Sequence, residues 1–311
     1  MSISDVLRRG LDNTLANWQL ILIRISESIL LGLICVGVAF AAIIPLLLSL
    51  GITTLSDPET LAASIVSALA AAWLVLVYVF AIIVVLVLIV MMIHSFFEAG
   101  CARIYIDGER AAGAAAAGGR TRFRAYTFNA WWEGAKDGWW TIFWIYNLVW
   151  SVAALILLVP LIPTIAAMLI FRNQEAVLAC AGCFGLVVML VLAIPVTIVA
   201  SVWTQKAIVV AMARNCAARD ATRTAWAEVR LDMMRHVMVA LALLAISFVG
   251  SSIFGGISSG LSFAAPNARM VIALMPIRIT MWVLSTAFGS AVGGWLLAAF
   301  AALSVDRGTA R

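Results

Sequence analysis

Long unbroken apolar stretches alternate along the chain with short segments in which apolar and charged positions interleave. The apolar stretches lie near residues 27–50, 72–97, 139–163, 176–203, 237–260 and 279–303. About 20 residues at ~1.5 Å rise cross a hydrocarbon core of ~30 Å, so each is long enough to span a membrane. Each is expected as a helix, because an open strand edge leaves backbone groups unsatisfied in lipid. A transmembrane barrel would show alternating segments of ~10 residues, and this pattern does not. Two further apolar pieces, near 59–71 and 267–278, are expected as interfacial helices.

The interleaved segments have helical spacing. Leu7, Leu11, Leu15, Trp18 and Leu22 recur at three- or four-residue steps, with Arg8, Arg9, Asp12 and Gln19 opposite. Thr222, Trp226, Val229, Met233 and Val237 do the same beside Arg223, Arg230 and Asp232, while Phe123, Ala130, Trp131 and Gly134 form a weaker copy. One apolar stripe on a charged helix suits the headgroup plane. Each such lead precedes a pair of apolar stretches, and the ends of the second and sixth stretches align (AGCARIYID at 99–107, AAFAALSVD at 298–306). The expected architecture is all-α: one polytopic domain, 1–311, of six transmembrane helices in three tandem units near 1–110, 120–220 and 221–311.

Composition strengthens this reading. The chain is 65% hydrophobic and 11% charged, against ~45–50% and ~25% for soluble domains. Charge then sets an orientation. Seventeen of the 20 lysines and arginines fall on one side of the expected spans, leaving Arg172, Arg269 and Arg278 on the other. Basic loops stay inside, so both termini are expected in the cytoplasm. The first apolar stretch is expected as an uncleaved span, because more than 20 residues precede it, with Asp5 and Asp12 among them, and it is longer than a signal-peptide core.

The end of the second stretch, Phe97-Glu98-Ala99-Gly100, is followed by Tyr105-Ile106-Asp107-Gly108, an Ala/Gly linker and an amphipathic approach over 128–140. In these features the chain resembles a six-helix bacterial membrane family related to the membrane domain of glycerophosphodiester phosphodiesterases. The resemblance implies a fold and a bacterial inner-membrane location. It implies no phosphodiesterase activity for residues 1–311, since in fused relatives the chemistry belongs to a separate soluble domain.

Motifs of chemistry are sparse. Gly256-Ile257-Ser258-Ser259-Gly260 spells a serine-hydrolase elbow, but that device needs a strand-to-helix turn with a histidine beside it. Here the string lies at the opposite end of a span from His94 and His236. Cys180 and Cys183, three apart on one helix face, could exchange disulfides with a quinone if exposed and activated, although free cysteine commonly packs as a small apolar residue. His94 and Glu98 share a face but fall short of the three or four ligands zinc takes. No phosphate-cradling loop occurs. No cofactor, metal or catalytic residue is therefore expected.

Two polar groupings remain. Glu98 and Lys206, both at the cytoplasmic exits of spans, are expected to pair across units, because an unpaired charge at that depth is costly. Arg120, Arg122 and Arg124, followed by Trp131 and Trp132, are expected to form a surface for anionic lipid of the inner leaflet. The expected function is non-enzymatic: binding of membrane lipid or of a membrane-protein partner, as in an accessory subunit, without nucleic acid. A transporter or lipid-handling channel is the alternative class, and a quinone-linked thiol oxidoreductase a third.

Overall fold

The computed structural model describes residues 1–49, 73–113, 119–170, 174–263 and 268–308. The elements among them are α1 (Ile3–Ala16), α2 (Gln19–Ser49), α3 (Trp73–Ala112), a 3-10 turn (Arg120–Phe123), α4 (Phe128–Leu158), α5 (Leu161–Ile170), α6 (Glu175–Arg214), α7 (Ala218–Leu231), α8 (Met233–Phe263) and α9 (Ala268–Gly308). The protein is an all-α, membrane-type fold, and among the described residues six helical segments are long and apolar enough to span a bilayer.

Local chemistry sets the helix ends. Ser2 and Asp5 form a reciprocal capping box at α1, and the Ser2 hydroxyl holds the Asp5 carboxyl below its ordinary range. Thr127 caps α4 by accepting from the Ala130 N–H. Asn215 closes α6 in the left-handed region, φ 49°, which a short amide side chain tolerates.

Element lengths recur. The helices α1 and α7 have 14 residues each. The middle third departs from expectation. Its lead is not a separate helix but the first turns of α4, continuous with the span and preceded by the 3-10 turn. Helix α3 likewise runs on past residue 97 to Ala112. The piece expected as an interfacial helix near 267–278 is, from Ala268 onward, the start of α9. The piece near 59–71 and most of the 113–119 linker lie outside the described residues.

The chain divides into two compact units, 24–94 and the remainder. The smaller holds most of α2 and the first part of α3, with Glu27 and His94 joined at 2.6 Å. In the larger, the core lies where the leads meet the helix exits. Consecutive runs such as Ile104–Ile106, Ala207–Val210 and Leu297–Ala301 are buried on every side, as happens only to a helix surrounded by protein.

Each lead covers the exit of a preceding second span, and the first lead closes back on the last. Gly10 of α1 sits on Ala299 of α9 so closely that a Cβ there would meet backbone at 2.8 Å. On α4, Trp131 lies over Gly100 of α3, and Gly134 over Arg103. Helix α7 packs on α6, with Trp203 and Trp226 rings 5.0 Å apart. Two of these seams are pinned identically. Trp295 donates to the Leu7 carbonyl at 2.7 Å, and Trp203 to the Thr222 carbonyl at 2.8 Å. Leu7 and Thr222 differ by the same 215 positions that separate the starts of α1 and α7.

Candidate functional site

Buried polar residues fasten the leads. Asn17, fully buried, donates to the Phe123 carbonyl at 2.8 Å and accepts from the Ala125 and Tyr126 N–H groups at 2.9 Å each. It thereby supplies the hydrogen bonds that an irregular connection cannot make with itself. One turn earlier, Asn13 donates to the Tyr105 carbonyl at 2.8 Å. Arg9 donates to Glu109 at 2.6 Å and to the Gly113 carbonyl, and stacks over Phe123.

On the third lead the fastener is ionic. Lys206, with no exposed side-chain surface, meets Glu228 at 3.0 Å and donates to the Ser304 hydroxyl at 2.8 Å. Arg214 meets the other Glu228 oxygen at 2.6 Å. Burial pushes the Glu228 carboxyl up, but the charge and hydrogen bond of Lys206, helped by Arg214, outweigh it and hold it below the ordinary value. Glu98, expected as the partner of Lys206, is buried at the α3 exit. Glu228 was not foreseen.

The other expected residues are dispersed. Trp131 is 4% exposed and belongs to the core, so it is no part of a surface. Its ring found the small residue Gly100, an opening that amphipathic spacing does not reveal. Trp132 remains exposed, as do Arg120, Arg122 and Arg124, with Arg120 4.0 Å from Asp12. Cys180 and Cys183 are free and exposed on α6. The 256–260 string is helical throughout, inside α8, and forms no strand-to-helix turn.

Among the described residues an apolar opening of about 360 Å³ lies between α2 and α3, and two more lie in the larger unit. A polar cleft of about 250 Å³ is lined by Arg103, Asp107, Glu133 and Asp137. Arg103 already binds Asp107 at 2.9 Å, and among the described residues no three ligating side chains converge. Beside the cleft, burial pushes the Cys216 thiol up, away from the reactive thiolate.

The second opening of the larger unit is apolar, about 440 Å³, between α4 and α6, and Trp203 and Trp226 stand at one end of it. It exists because of local sequence. Pro195 lies inside α6, where its ring removes a backbone hydrogen bond, and Ala153 and Ala200 leave the facing walls low. From Pro195 to Trp203 the groove runs about 12 Å along α6 by helical rise. Trp203 is a fixed wall, since its indole N–H is held by the Thr222 carbonyl.

Compared with protein-family models, curated proteins and solved structures, the chain matches none.

Proposed function

We propose that this is a non-enzymatic, multi-pass protein of a bacterial inner membrane, with cytoplasmic termini, that binds a membrane lipid in the groove between α4 and α6. The observation that carries the reading is the groove itself. It is apolar along its length, opens within two spanning helices, and ends at two tryptophans where the amphipathic α7 begins its cover. Acyl chains supply dispersion contacts to such a wall, and indoles favour the headgroup level.

Val152 and Val199 line the groove without being buried in the core. Changing both to phenylalanine is expected to remove most of the phospholipid that stays with the protein through detergent purification, as counted by native mass spectrometry. The melting temperature should move little. Val249→Phe, on the exposed face of α8, should leave lipid retention unchanged. Equal retention in all three proteins would end the reading.

Orientation has its own test. In a background with the five native cysteines changed to serine, Gln174→Cys is expected to react with an impermeant maleimide on intact cells. Arg122→Cys should react only after lysis. The reverse pattern would invert the topology.

A further inference from the structure

Helix α7 contributes Trp226 to the groove lining. At 3.6 residues per turn, Arg219, Arg223 and Arg230 project within about 60° of Trp226, which itself lines the groove. Glu228, turned to Lys206, is on the opposite flank. All three arginines are exposed, and among the described residues none of their guanidinium groups makes an ion pair. Asp220 stands next to Arg219 in sequence and pairs with neither Arg219 nor Arg223.

The same places on α1, 215 positions earlier, hold Ser4, Arg8, Leu11 and Leu15. The helix that is pinned in the same way therefore carries one arginine where α7 carries three. Lead packing does not require the cluster, because α1 packs without it. Unpaired cations beside an apolar groove match a ligand with an anionic head and an apolar tail.

We propose that the groove and the Arg219–Arg223–Arg230 flank together form one site for an anionic phospholipid, the acyl chain lying along α4 and α6 and the phosphate on the arginines. This rests on the lipid-binding reading above and adds the headgroup. Guanidinium groups donate in a fork that fits phosphate oxygens. Lysine is a point charge, so Arg→Lys exchange should weaken the site while keeping the charge.

The test is titration of the detergent-purified full chain with phosphatidylglycerol and, separately, phosphatidylcholine of the same acyl chains, followed by native mass spectrometry. Wild type should prefer phosphatidylglycerol by at least about tenfold, from roughly fivefold per cation near a lipid surface and allowing for screening. Changing all three arginines to glutamine should bring phosphatidylglycerol down to the phosphatidylcholine level and leave phosphatidylcholine unaffected. Arg8→Gln should change neither.

A preference kept by the triple variant overturns the headgroup assignment while leaving the groove intact. Retention of both lipids by the Val152/Val199 variant would instead overturn the groove reading on which the headgroup assignment rests. The wild-type protein offers a second measurement that needs no variant. Its preference should shrink as salt rises toward 1 M, where the screening length is about 3 Å, and a salt-independent preference also overturns the proposal.

Discussion

Asn17→Leu is expected to cost about 3–5 kcal/mol, at ~1–3 kcal/mol for each buried group left without a partner. The side chain is fully buried, and one amide serves the Phe123 carbonyl and the Ala125 and Tyr126 N–H groups. Leucine fills a similar volume but satisfies none of them. The loss should appear as a lower melting temperature in detergent. It should also appear locally, as faster hydrogen exchange at Ala125 and Tyr126 than at helix positions such as Ala207. Unchanged exchange at those two amides would mean that water already serves them and that Asn17 is not the fastener. Because the 3-10 turn and the start of α4 hang on this residue, the variant should also loosen the packing of Trp131 on Gly100.

The spans were legible because lipid imposes one rule on every backbone group, and an apolar run of sufficient length obeys it in isolation. Their ends were not. Helix α3 continues through Arg103, Asp107 and Glu109, a stretch whose charges read as a loop, because protein rather than lipid surrounds that exit. Ile104, Tyr105 and Ile106 are all fully buried there. The fasteners were hidden for a related reason. Asn13 and Asn17 sit one turn apart on a lead whose polar positions look solvated, and only the fold turns them toward Tyr105 and Phe123. Trp131 shows the converse, since a tryptophan next to basic residues reads as an interfacial anchor until Gly100 provides a seat. The groove was written only faintly, in Pro195 and in small residues one turn or more away, and its arginine flank emerges only when α7 is placed against α6. Lys206 itself was legible as a charge needing a partner. Glu228, which meets it, lies on a separate helix, and the register of α7 on α6 is tertiary information.

Replacing Glu228 by leucine is expected to cost about 3 kcal/mol, because it strips a carboxylate from a lysine that has no exposed surface. Lys206→Met alone should cost less, since Glu228 keeps Arg214 at 2.6 Å. The double replacement should cost clearly less than the two together, as a well-packed apolar pair avoids the desolvation of both charges. Additive losses would show that the two are uncoupled. The same cycle with Glu98→Gln in place of the Glu228 change tests whether Glu98 also shares Lys206. Acid gives an independent measurement. The folded-state pKa of Glu228 is depressed, so its contribution is fully present above the unfolded carboxylate value of ~4.3. It is lost as pH falls below that value and through the folded one. Melting temperature should therefore drop more steeply below about pH 4.3 in wild type than in Glu228→Gln, which has no carboxyl to titrate. Parallel curves would remove Glu228 from the acid response and leave the lysine held chiefly by its other contacts.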